Sequence, residues 1–174
     1  MGSVRDEIKQ TRPFPSLADE AIVTLVRTAD KARGLGEAAV QPFGITMQQY
    51  NVLRILRGAG EKGLPTLEIA ARMIEHNPGV TRLLDRLEAK ALVRRQRCPQ
   101  DRRQMLCFAT PRALEVLEKA DAPLAQASAR ALAALDEPRV RELIALLDLV
   151  RAAASSASAG DPSPRERETE EGED

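Results

Sequence analysis

Apolar positions recur at helical spacing along most of the chain, and that rhythm is interrupted once. Leu17, Ala21, Ile22, Leu25, Val26 and Ala29 fall on one face of a helix. Ser16 stands at its N-cap, Asp19 and Glu20 occupy the first turn, and Gly34 and Gly36 predict its end, so this helix is expected over about 16–36. A connector with Pro42 and Gly44 follows. Thr46 and Gln49 then make a capping-box pattern, and Tyr50, Val52, Leu53, Ile55 and Leu56 form the inner side of a second helix that stops at Gly58-Ala59-Gly60. Leu64-Pro65-Thr66 opens a third, with Leu67, Ile69, Ala70, Met73 and Ile74 apolar. The turn Glu75-His76-Asn77 leads to a fourth. Asn77 is read as its N-cap and Pro78 as its first helical residue, with Gly79 beside them. Val80, Leu83, Leu84 and Leu87 then build one apolar face, opposite Thr81, Arg82, Asp85 and Arg86.

The interruption comes after Lys90-Ala91-Leu92. Residues 93–98 and 104–109 read as two short strands, and Pro99, Gln100, Asp101, Arg102 and Arg103 form the charged tip of a hairpin between them. Helical spacing resumes at Thr110-Pro111, an N-cap followed by Pro at the first position, and extends through Leu135, with Pro123 expected to kink the helix. Asp136 caps a last helix with Val140, Leu143, Ile144, Leu147 and Val150 on its stripe. Residues 1–15 are read as a loose arm, 16–152 as the folded domain, and 153–174 as a disordered acidic tail. The fold class expected is mainly α with a small β wing. A winged helix-turn-helix over about 46–110 is flanked by dimerisation helices at about 16–36 and 111–152.

Charge changes the picture through its distribution. The whole chain is formally neutral, with 26 basic and 26 acidic residues. Yet Arg72 to Arg103 holds nine Lys/Arg against four Asp/Glu, and Asp161 to Asp174 holds two against seven. Local charge is what a phosphate backbone meets. Aromatic residues make up only 2%, so the core must be Leu, Ala, Val and Ile. No run of apolar residues is long enough for a membrane span, and the first residues lack a signal-peptide pattern. Two cysteines without such a signal fit a reducing cytosol, so the chain is expected to be cytoplasmic.

A helix with its back in a core and Thr81 and Arg82 near its front end suits insertion into a DNA major groove. Arginine pairs bidentately with guanine there, and threonine meets a thymine methyl or a phosphate. The hairpin that follows is placed as a wing whose arginines reach a narrow minor groove. The outer helices carry apolar stripes that a second copy of the chain would cover. A twofold homodimer would set two such helices against a pseudo-palindromic duplex, about 34 Å apart.

The run from Val80 to Arg95, with Asp101-Arg102-Arg103 and Ala109-Thr110, resembles the multiple-antibiotic-resistance-regulator (MarR) family over roughly residues 17–152. The resemblance implies a winged-helix transcription factor, usually a dimeric repressor, that binds double-stranded DNA. It implies Thr81 and Arg82 at the major groove, with Asn77, Pro78, Gly79 and Arg86 on the same element. It also implies that Asp101 orients a wing arginine, Arg102 or Arg103, into the minor groove. A pocket for a small aromatic or phenolic effector is further implied, and Phe43, Met47, Tyr50 and Arg54 are its candidate lining. The family commonly has glycine where this chain has Ala91 and Ala113, and alanine at these sites requires a negative φ.

Two alternatives stay open. Cys98 and Cys107 lie on opposite strands of the hairpin and would make a redox-responsive site if the register let them meet, with Arg97 favouring a thiolate at Cys98. The fold could also serve as a protein-interaction module without DNA. An enzyme is not expected, since no Gly-rich phosphate loop, zinc spacing or nucleophile motif is present. His76 is the only histidine and has no second ligand at helical spacing, so no metal and no cofactor are expected.

Overall fold

The computed structural model describes residues 2–75, 79–99, 101 and 104–160. It divides into two compact units, Met1–Ala131 and Leu132–Asp174. The first holds α1 (Val4–Glu7), α2 (Leu17–Val40), α3 (Met47–Ala59), β1 (Leu64–Pro65), α4 (Thr66–Arg72), α5 (Val80–Ala89), β2 (Val93–Arg97), β3 (Met105–Ala109) and α6 (Pro111–Ala131). The second holds α7 (Glu137–Gly160). The strands form one antiparallel sheet in the order β1-β3-β2. This is the mainly helical fold with a small β wing that the pattern predicts.

The cap signals act as read. Ser16 and Thr46 accept from the backbone N–H groups of Asp19 and Gln49, and Gln49 returns the bond to Thr46. Thr110 Oγ1 accepts from Ala113 N at 3.2 Å, and Asp136 Oδ1 accepts from Arg139 N at 3.1 Å. The core is aliphatic: Val40, Val52, Leu53, Leu56, Ile69, Leu84, Leu87 and Leu117 are closed to solvent or nearly so. It draws residues from both sides of the sheet region, so α5 is backed by α3 and α4 rather than by its own stripe alone.

Several boundaries differ from expectation, each for a local reason. The arm at 1–15 contains α1, and Glu7 pairs with Lys31 at 2.7 Å and with Arg27 at 3.5 Å on α2. Gly34 and Gly36 do not end α2, which continues to Val40. Gly36 is buried because Met47 of α3 packs where its side chain would be. Leu64-Pro65 does not open α4 but forms β1, pairing with Leu106 and Cys107. A two-residue strand leaves no alternation to read. Helix α6 runs through Pro123. Helix α7 runs to Gly160, past the expected limit at 152, on a stretch of Ala and Ser where the Ser155 and Ser156 hydroxyls donate to the carbonyls of Arg151 and Ala152 one turn back.

The end of α5 departs most clearly. Ala91 has φ +56°, not the negative value expected. Leu92 N donates to Leu87 O at 2.9 Å and Ala91 N to Glu88 O at 2.8 Å. This double closure is a Schellman motif, and it puts Ala91 at the left-handed position that glycine fills without strain. Ala113 lies inside α6, buried, where alanine is at ease. Ala91→Gly is therefore expected to stabilise the fold by about 1 kcal/mol, after allowing for glycine's looser unfolded state. A raised urea midpoint with an unchanged slope is the check.

Candidate functional site

Helix α5 has two kinds of surface. Val80, Leu83, Leu84 and Leu87 are buried, while Thr81, Arg82, Asp85, Arg86 and Glu88 are exposed. Gly79 occupies its N-cap with no side-chain cap, and the helix starts at Val80 rather than at Pro78.

Buried polar side chains fix this helix at both ends. Asn51 of α3 is 8% exposed, and its Oδ1 accepts from Ile74 N at 2.9 Å, just before the turn into α5. At the other end Lys90 Nζ donates to Gly44 O at 2.7 Å and to Gln49 Oε1 at 3.1 Å. Gln49 is itself buried. The sequence marks Gln49 only as half of a capping box and gives Asn51 and Lys90 no role. Two amides within an otherwise apolar helix face were the available signal, since buried amides need partners.

The wing is pinned beside α5. Arg95 of β2 sends Nη2 to Asp85 Oδ1 at 2.7 Å and to Thr81 O at 3.4 Å, and Nη1 lies 3.5 Å from Glu88 Oε2. Its neighbour Arg94 stacks over Phe108 with its guanidinium carbon 4.0 Å from the ring centre. The register sets Cys107 opposite Arg95. Cys98 lies beyond β2, its N–H donating to Gln104 O at 3.0 Å. The two cysteines are thus offset along the hairpin and do not face each other. Burial pushes the Cys107 thiol up, against the thiolate that a redox site would use.

A cavity of about 740 Å³ opens between α2, α3, the residues after α4, and α5. Ala29, Ala32, Met47, Met73, Ile74 and Leu83 give it an apolar lining, and Arg33, Gln48, Glu75 and Arg86 bring charge and hydrogen bonding. Arg33 Nε donates to Glu75 Oε1 at 2.8 Å and Gln48 Nε2 to Glu75 Oε2 at 3.3 Å. The Arg33 bond, helped by Gln48, holds the Glu75 carboxyl below its ordinary range. Of the effector candidates, Met47 lines this cavity. Phe43 packs against the core instead. Tyr50 is turned to α6, donating to Asp121 Oδ1 at 2.7 Å, with Arg54 over its ring at 6.0 Å. Burial, then the Asp121 hydrogen bond, push the Tyr50 hydroxyl up to about 12. Arg57 completes that pair at 2.7 Å from Asp121, whose carboxyl it lowers. These contacts join α3 to α6 and are remote in kind from a ligand pocket.

Asn77, Pro78, Arg102, Arg103 and His76 lie outside the described residues. Asp101 is exposed, and its carbonyl accepts from Gln104 N at 3.0 Å. Among the described residues, no group of three His, Cys, Asp or Glu side chains is placed to hold a metal ion, and no helix is long and apolar enough to cross a membrane.

Comparison with known proteins agrees with this geometry. The family model described as MarR family matches residues 45–105, the span from α3 to the start of β3. A crystal structure of a MarR transcription factor from Planctomyces limnophilus is 38% identical, covers 79% of this chain and 99% of that one, and superposes with a TM-score of 0.61. The structure of CouR from Rhodococcus jostii, bound to p-coumaroyl-CoA, is 26% identical with a TM-score of 0.67, over 79% of this chain and 95% of that one. An HTH-type transcriptional repressor of Mycobacterium tuberculosis is 29% identical over 134 residues, which are 76% of this chain and 95% of that protein.

Proposed function

Because the chain belongs to the MarR family of DNA-binding transcriptional regulators, we propose that it acts as a homodimeric repressor of a pseudo-palindromic operator, released by a small aromatic acid. The observation that carries the DNA reading is α5. Its Thr81 and Arg82 are exposed beside a wing, opposite a face buried in the core. Thr81 and Arg82 serve the major groove, with Asn77, Pro78 and Gly79 at the phosphates, and Arg102 or Arg103, oriented by Asp101, serves the minor groove. Repression is the activity named for the mycobacterial relative.

Dimerisation is supported by apolar side chains left in solvent within each unit. On α2, Leu17 is 82% and Val26 63% exposed, and on α7 Leu149 is 70% exposed. Such residues on helices at both ends of a chain fit an interface between copies. Light scattering should return twice the 19.0 kDa of one chain.

The effector site is the cavity beside α5. Its apolar walls fit an aromatic ring, and Arg33 and Arg86 supply the cations that a carboxylate needs. CouR, a relative by fold and sequence, was captured with a p-coumaroyl thioester. A ligand here touches Glu75 and Arg86 at once, so it can favour a different setting of α5 and release DNA only through that preference.

The test is an anisotropy titration with duplexes enriched from a random pool, at two salt concentrations, with and without benzoate- and cinnamate-type acids. Tight, selective and salt-sensitive binding supports the repressor reading. Equal weak binding to enriched and scrambled duplexes defeats it. Unchanged affinity with every acid tried at millimolar concentration defeats the effector part alone.

A further inference from the structure

Arg95 is a wing side chain that reaches along α5. Thr81, Asp85 and Glu88, its contacts on α5, lie along a single flank of that helix over about two turns. Its side chain is 20% exposed, while those of Asp85 and Glu88 are 54% and 43% exposed. The guanidinium therefore sits beneath the two carboxylates rather than outside them. Its Nε is buried with no hydrogen-bond partner among the described residues.

The charge on α5 gives the arrangement a purpose. The helix carries Arg82 and Arg86, but also Asp85 and Glu88 exposed on the side facing the wing. Two uncompensated carboxylates between a recognition helix and a wing would repel the phosphates that both must approach. Arg95 supplies the compensating charge from the inner side.

Resting on the DNA-binding reading above, we infer that Arg95 is a positioning residue for DNA recognition. It acts through the charge of Asp85 and Glu88, which it neutralises, and does not itself touch the duplex.

The test uses the full chain and a duplex enriched from a random pool by the wild-type protein. Arg95→Met keeps the aliphatic stem, and thermal melting confirms that it folds. It should bind the duplex at least tenfold more weakly than wild type. Adding Asp85→Asn and Glu88→Gln to it should restore most of that loss, because the charges that Arg95 masks are then gone. Arg95→Lys, the milder variant, keeps the charge but cannot span both carboxylates and should fall between. Wild-type affinity in Arg95→Met would overturn the assignment while leaving the DNA reading intact. So would a triple variant as weak as Arg95→Met, since Arg95 would then be needed for itself. Failure of the wild type to enrich any duplex would overturn both readings.

Discussion

Replacing Arg82 by alanine is expected to lower operator affinity by about tenfold to a hundredfold, the 1–3 kcal/mol range of one bidentate arginine–guanine contact, and to relax selectivity at one base position. Arg86→Ala, one turn further along the same helix, behaves differently. Arg82 is exposed opposite the buried face of α5, whereas Arg86 is on the flank beside Leu83 and lines the cavity. Its loss should cost little base selectivity and should weaken the response to an aromatic acid. Anisotropy against the enriched duplex and against single-base variants separates the two. A selective loss in Arg82→Ala identifies a base reader. A uniform loss across all duplexes, with a smaller salt slope, would mean that Arg82 meets phosphate instead, and would take base recognition away from it. That outcome would divide α5 by function, with one arginine for the groove and the other for the pocket.

That division was only half legible in the chain. The apolar stripe of α5 is strict, so the sequence orients the helix and exposes Thr81, Arg82 and Arg86 together. Nothing local says that one flank meets α2 and α3 across a cavity and the other meets β2, because both neighbours arrive by tertiary packing. The hairpin shows the same limit. Its strands are readable as segments, yet only the register shows Cys107 opposite Arg95 rather than Cys98, and a shift by a single residue would have faced every side chain the other way. Tyr50 and Arg54 are candidates for an effector site through the family resemblance alone. The structure gives Tyr50 to Asp121 on a helix 71 residues away, a pairing that helical spacing cannot reveal. Gly36 shows how a residue type with two uses misleads: it marks the close approach of Met47 to α2 and not the end of a helix. Caps fared better because they are local. The Ser16, Thr46, Thr110 and Asp136 bonds all lie within one turn of the residue that makes them.

Gly63→Ala is expected to be the most damaging small substitution in the described structure. Gly63 precedes β1 with φ +59° and ψ −179°, a conformation open essentially to glycine alone. Strain at such a position is of order 1–3 kcal/mol for any other residue. Space adds a second cost. A Cβ there would lie 2.5 Å from Cε1 of Phe108 and 2.7 Å from its Cζ, well inside contact distance. The ring cannot simply swing away, for it is 7% exposed and carries the Arg94 guanidinium over it. Overpacking of this kind costs about 1–3 kcal/mol more, so the sum is a large share of the roughly 5–15 kcal/mol by which a domain is stable. A fall in melting temperature on the order of 10 °C follows. Gly44→Ala is the control. Gly44 also has a positive φ, +69°, but its Cβ would meet nothing within 4 Å, so it should lose only the backbone share. The damage should also reach function. Phe108 lies on β3, which β1 pairs on one side and β2 on the other, so displacing its ring shifts the strand that carries Arg95 toward α5. Operator affinity should then fall at temperatures where Gly63→Ala is still folded, while Gly44→Ala binds as wild type. Equal melting temperatures for the two variants would show that Phe108 yields to the added methyl. Unchanged affinity in a folded Gly63→Ala would show that the wing does not depend on the β1 contact for its placement.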